Sequence, residues 1–181
     1  TYREIARHFF KNAKIVIDKY HWIRQATWAF DRVRREEQKK FYKTRRKYFK
    51  RSRHLMLKRR KYLSEEESDQ VTVMLSTSRR LATAYLIKER FYDFVDAPDY
   101  ETAVKKLEEW YLYVGALNEP EFVKCMKTIR NWQPYILNSF TCPYTNGYTE
   151  GVNNKIKVLK RNAYGMRNYG RFRKRILHMM A

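Results

Sequence analysis

Glycine is scarce in this chain of 181 residues, which holds only five. Little backbone is thus available for loops that wrap a ligand, and neither a Gly-rich phosphate loop nor a dinucleotide fingerprint is present. Cysteine is scarcer still: Cys125 and Cys142 stand alone, with no CxxC pair and no histidine at zinc spacing. Neither a disulfide framework nor a structural zinc is expected on that ground, and two buried or incidental thiols in a reducing cytosol are. The four histidines, His8, His21, His54 and His178, are scattered, and no Ser-His-Asp or Cys-His arrangement is visible. No apolar run approaches the length needed to cross a bilayer, and the first residues do not read as a signal peptide, so no membrane role is expected.

Acid is the most telling shortage. Asp and Glu total 19 against 40 Lys and Arg, a formal net charge of +21. A soluble domain needs only a few net charges to stay in solution. An excess this large repels itself, and a polyanion is what makes it worth keeping, because each neutralised phosphate releases condensed counterions. Nucleic acid is therefore the expected partner, the alternatives being a ribosomal or chaperone-bound fragment or a basic membrane-surface protein. The chain is no disordered basic tail: 44% of it is hydrophobic and 16% aromatic, enough to fold. Its length suits one or two domains with a real core.

Residues 1–11 predict a short amphipathic helix with Ile5, Ala6, Phe9 and Phe10 apolar. Ala13-Lys14-Ile15-Val16-Ile17-Asp18 is β-branched and predicts a short buried strand ending in a carboxylate. From His21 to Leu63 the pattern is helical. Trp22, Ile23, Ala26, Ala29, Phe30 and Val33 share one face, and Phe41, Tyr48, Leu55 and Tyr62 recur every seven residues, as do Tyr42, Phe49, Met56 and Leu63. That predicts one long helix with a coiled-coil-like seam. Between Lys39 and Lys61 there are 13 Lys or Arg and no acid, so local i,i+4 pairing cannot neutralise the run. Ser64 with Glu67 reads as a capping box opening the next helix, with Val71, Met74, Leu75, Ala82, Tyr85 and Leu86 apolar. Asp96, Pro98 and Asp99 open another, which Gly115 is expected to end, and Asn118, Pro120 and Glu121 open a fourth, which Pro134 is expected to break or kink. Residues 139–149 read as a turn-rich loop, followed by a helix to about Arg161.

Glu150 is the last acid in the chain, and from Gly151 to Ala181 there are nine Lys or Arg. On a helix, Glu150, Asn153, Asn154, Lys157 and Arg161 share one face, opposite Val152, Ile156, Leu159 and Ala163. A carboxylate heading a basic, amide-bearing stripe could hold a divalent cation beside a phosphate; equally it could be an acid favoured by the helix dipole. Asp18 has the same duality, as a site carboxylate at a strand end or an ordinary helix cap. Together they suit two-metal phosphoryl transfer, which needs converging carboxylates.

Two stretches carry a resemblance. Asn12-Ala13-Lys14-Ile15-Val16-Ile17-Asp18-Lys19-Tyr20-His21-Trp22-Ile23-Arg24 resembles the second-aspartate segment of bacterial insertion-sequence transposases of the ISL-three type. Thr145-Asn146-Gly147-Tyr148-Thr149-Glu150-Gly151-Val152-Asn153-Asn154-Lys155-Ile156-Lys157-Val158-Leu159-Lys160-Arg161 resembles their glutamate motif, and the tail Ala163–Tyr169 with Phe172 and Arg173 is similar to theirs. The resemblance implies a mainly α fold: part of an RNase H-like α/β core, one strand plus the final helices, interrupted by a large all-helical insertion. Residues 1–20 and 139–181 would belong to the core and 21–138 to the insertion. It further implies DDE chemistry, with Asp18 and Glu150 as catalytic ligands of Mg²⁺ or Mn²⁺. Asn153, Asn154, Lys155, Lys157, Lys160 and Arg161 would hold the DNA end. The basic run, with Lys43, Arg45, Arg46, Lys47, Lys50 and Arg51, would hold flanking duplex through phosphates. Element ends and target DNA, a homo-oligomer in a synaptic complex and a bacterial cytoplasm are implied too. The family's first Asp lies upstream of the matching segment. The chain opens with Thr1 in mid-pattern, so a C-terminal portion that does not catalyse alone is expected. The alternative is a non-catalytic basic helical module for DNA or RNA binding, or for oligomerisation.

Overall fold

The computed structural model describes residues 2–51, 53–142 and 147–180, and every regular element among them is helical. The helices are α1 (Tyr2–Phe9), α2 (Lys19–Lys39), α3 (Lys43–Arg51), α4 (Arg53–Leu57), α5 (Glu65–Ser76), α6 (Arg79–Val95), α7 (Tyr100–Leu117), α8 (Pro120–Leu137), α9 (Gly147–Asn162) and α10 (Tyr169–Met180), with 3₁₀ turns at Arg60–Tyr62 and Asn138–Phe140. The mainly α expectation holds. The chain forms two compact units, residues 1–143 and 144–181.

Helix starts follow side-chain chemistry that relieves unpaired first-turn N–H groups. Asp18 caps α2 by accepting from the Tyr20 N–H, and Ser78 and Asp99 cap α6 and α7 in the same way. Ser64 and Glu67 form the full capping box expected at α5. The helix expected to run on from Ser64 is two, because Ser78 starts α6 afresh.

The expected strand over residues 13–18 is absent: the segment is irregular, and no strand occurs among the described residues. A strand exists only against a neighbour that takes its N–H and C=O groups. Here the Ile17 N–H donates to the Tyr135 carbonyl, and the Asn138 amide donates to the Ile15 carbonyl. Both partners lie at the end of α8. Nor does α7 stop at Gly115. It runs to Leu117 and closes on Asn118, whose φ of 46° is the left-handed cap that asparagine tolerates. Pro134 is carried inside α8, which continues to Leu137. Residues 143–146 of the predicted 139–149 loop lie outside the described residues.

The single long helix over residues 21–63 is also overturned. It breaks at Lys40–Tyr42, and again after Leu57, into α2, α3, α4 and a 3₁₀ turn. Phe41 meets Phe49 with ring centroids 4.8 Å apart, which folds the chain back on itself. Of the supposed seam, Phe49, Leu55 and Met56 are buried, whereas Tyr42, Tyr48 and Tyr62 are exposed.

The core of the first unit lies among α2, α6, α7 and α8. Trp22, Phe30, Phe91, Phe94, Trp110 and Phe122 are buried there, with edge or tilted ring contacts such as Phe91–Trp110 at 4.9 Å. Lys88 is fully buried within this apolar core, and burial depresses its pKa. Its ammonium donates to the carbonyls of Met56 and Lys58, each at 3.0 Å, and pairs with Glu89 at 2.6 Å. The end of the basic segment is thereby tied to α6.

Candidate nucleic-acid interface

The basic run divides in two. On α3, Lys43, Arg45, Arg46, Lys47, Lys50 and Arg51 are all exposed, and Phe49 is the side chain of this helix that is buried. No carboxylate among the described residues pairs with any of these six cations. Tyr42 is 92% exposed just ahead of them. Beyond α3 most of the charges are spent internally. Arg53 reaches Asp31 at 3.1 Å, Lys58 reaches Glu67 at 2.6 Å, and Arg59 and Lys61 share Asp96. These partners are 9 to 37 residues away in sequence, which is why spacing within the run does not reveal them. A cationic helix with no internal counter-charge is suited to phosphates; a cation already paired is not.

Asp18 is half-buried at the head of α2, where its Oδ1 accepts from the Tyr20 N–H at 2.9 Å. It opens onto an apolar cleft of about 540 Å³, walled by Val16, Ile17, Trp22, Ile129, Trp132 and Ile136, with His21, Gln25 and Thr128 as polar members. His21, three residues beyond Asp18 in the sequence, shares its cleft and is exposed. Among the described residues no group of three or more His, Cys, Asp or Glu is clustered so as to hold a metal ion.

In the second unit, Glu150 lies in the first turn of α9, where the helix dipole favours a carboxylate, while Lys160 and Arg161 occupy the last turn, where it favours cations. Asn153, Asn154, Lys155, Lys157, Lys160 and Arg161 are exposed, while Val152, Ile156, Leu159 and Ala163 form the half-buried face expected for them. Asn154, Lys157, Lys160 and Arg161 border one open depression with Val158. Tyr164 and Gly165, at φ 43° and 80°, turn the chain toward α10, whose start Asn168 caps by accepting from the Arg171 N–H. Thr145 and Asn146 of the expected glutamate motif lie outside the described residues. The residues expected to act on DNA thus fall into three groups: Asp18 at the head of α2, six cations on α3, and Glu150 with its amide and basic companions on α9.

A protein-family model described as "Transposase", of the ISL-three type and DDE class, matches residues 1–176. Among curated proteins, a Lactococcus lactis subsp. lactis protein named "ATP-dependent protease" is 36% identical over 112 residues, covering 61% of this chain and 34% of that protein. The "Transposase for insertion sequence element IS1001" of Bordetella parapertussis is 27% identical over 161 residues, 86% of this chain and 39% of that one. The "Transposase for insertion sequence element IS1557" of Mycobacterium tuberculosis is 26% identical over 117 residues, 65% of this chain and 26% of that one. The chain therefore spans well under half the length of these relatives. No solved structure matches it.

Proposed function

The chain belongs to the ISL-three type of DDE transposases, and on that premise we propose that it supplies two metal-binding carboxylates and two basic DNA-binding surfaces to DNA strand cleavage and strand transfer. The observation that carries this reading is the family match itself, which includes both Asp18 and Glu150 within residues 1–176. Each of these carboxylates heads a helix, α2 or α9.

The donor chemistry suits the ion. Mg²⁺ and Mn²⁺ prefer hard oxygen ligands and are commonly held by one or two carboxylates. Asp18 and Glu150 would hold them, and the bound metal would supply Lewis-acid stabilisation of a phosphoryl oxygen. The cap at Asp18 uses Oδ1, so capping and ligation can coexist on one side chain. Asn153, Asn154, Lys155 and Lys157 orient the DNA end by hydrogen bonds and charge. Lys160, Arg161 and the α3 cations grip phosphates, which positions DNA without reading its sequence. In this reading residues 1–20 and 139–181 belong to an RNase H-like core and 21–138 to a helical insertion.

Cys125 is buried, and burial pushes its thiol up to about 12, so this thiol is no nucleophile in the proposed chemistry. The test is direct. The purified chain is expected to bind duplex DNA and to leave it intact in Mg²⁺ or Mn²⁺. Nicking or joining by this chain that disappears in Glu150→Gln overturns the expectation of inactivity. In a transposase carrying this segment, Asp18→Asn and Glu150→Gln each abolish strand cleavage while DNA binding persists. Unchanged cleavage in either variant removes that residue from the site.

A further inference from the structure

Not all the aromatic residues of α2 serve the core. Tyr20 and Trp28 lie on its outer face, 63% and 44% exposed, although Trp22 and Phe30 on the same helix are buried. Between them stands Arg24, and the three residues follow one another at i, i+4 and i+8, one above the next on the helix surface. The Arg24 guanidinium carbon lies 4.2 Å from the centre of the Trp28 ring and 5.1 Å from that of Tyr20. Both distances fall in the range of cation–π contact, and a planar guanidinium suits stacking of this kind.

The charge in this ladder is uncompensated. No carboxylate among the described residues pairs with Arg24, and its buried Nε has no hydrogen-bond partner. The carboxylates on either side along the helix are engaged. Asp18 accepts from the Tyr20 N–H, and Asp31 is held by Arg34, Arg35 and Arg53. Lys19 adds a second cation at the base of the ladder, its ammonium 4.8 Å from the centre of the Phe140 ring.

We infer that Tyr20, Arg24 and Trp28 form a stacking platform for unpaired nucleobases, gripping a single strand beside Asp18. Base–aromatic stacking tolerates any sequence because every base has a π-face, and basic side chains interleaved with the rings follow the backbone. A duplex cannot use such a platform, since its base faces are already stacked on one another. The guanidinium between the rings holds them in place before a base arrives, which lowers the ordering cost of binding. The platform rests on the nucleic-acid reading above, but it concerns a different helix from the α3 cations and a different form of DNA.

The test compares a short thymidine oligonucleotide with a duplex of equal length, using the whole chain. Trp28→Ala is expected to weaken oligonucleotide binding about tenfold while duplex binding changes less than about twofold. Trp28→Phe keeps a ring on Arg24 and should recover most of the affinity. Trp28 is the exposed tryptophan, while Trp22 and Trp110 are buried and Trp132 half-buried. The oligonucleotide should therefore quench emission in the wild type, and Trp28→Phe should lose that quenching. Equal losses on both probes, or no loss on the oligonucleotide, overturn the platform. Absent or salt-insensitive duplex binding is a failure of the α3 reading instead, and the oligonucleotide arm still decides the platform.

Discussion

Asp31 shows how a chain with so little acid uses what it has. Its buried carboxylate receives Arg34 at 2.8 Å, Arg35 at 2.9 Å and Arg53 at 3.1 Å. Burial pushes its pKa up, but hydrogen bonds from Arg53 and Arg34 outweigh that and hold it below the ordinary carboxylate value. Asp96 is likewise held low, chiefly by its hydrogen bond from Arg59. A depressed folded-state pKa gives stability that is complete above the unfolded value, near pH 4, and is lost as pH falls through the folded value. Asp31→Asn leaves the buried Arg34 without its anion and should cost about 3 kcal/mol near neutral pH. The difference in melting temperature between wild type and variant should shrink steadily below about pH 4, where the wild type loses the same charge. A gap that is constant with pH would mean that Asp31 acts by shape alone. Part of this cluster is legible in sequence, since Arg34 and Arg35 lie one turn from Asp31. Arg53 is not, because its approach depends on how α4 returns to α2.

At the scale of the element, one basic run is proposed to do two jobs, and salt separates them. Replacing Lys43, Arg46 and Lys50 of α3 with alanine should reduce the slope of log affinity against log salt by about one for each phosphate contact removed. Melting temperature should barely change, because these side chains are exposed and without ion pairs among the described residues. Arg59→Ala should do the reverse. It breaks the pair with Asp96 and the stack on Tyr92 at 4.4 Å, lowering stability by about 1 kcal/mol while the salt slope stays put. Titrations at several salt concentrations beside thermal melts check both halves, and a common effect of the two sets would merge them into one surface. The seven-residue repeat misled because Lys40–Tyr42 contains no Gly or Pro to announce a break. The break comes from tertiary packing of Phe41 on Phe49. Caps were readable because Ser64, Glu67 and Asp99 act on N–H groups within three residues. The strand was not, because a strand is a property of a pair and residues 13–18 find α8 for their hydrogen bonds instead. In the candidate site, the segments around Asp18 and Glu150 were recognisable from local motif. The cleft beside Asp18 was not, because Thr128, Ile129, Trp132 and Ile136 reach it from α8, more than a hundred residues further on.

For the molecule as a whole, the net charge of +21 predicts two opposite responses to salt. Without DNA, like charges repel across the folded surface, and added salt shortens the screening length from about 10 Å at 0.1 M to about 3 Å at 1 M. The free chain should therefore melt higher as salt rises. The most buried pairs, such as Arg34 with Asp31, are screened least and oppose this only weakly. With duplex DNA the order reverses. A ligand at about a hundred times its dissociation constant adds about 2.7 kcal/mol, which for a chain of this size raises the melting temperature by roughly 5–10 °C. Salt weakens phosphate binding steeply, so that increment should fade over the same range in which the free chain gains. Melting temperature plotted against salt should thus give two curves that converge, the DNA-bound one from above. Curves that stay parallel would mean that the complex is held by contacts other than phosphate pairing, and the excess positive charge would then need a different partner.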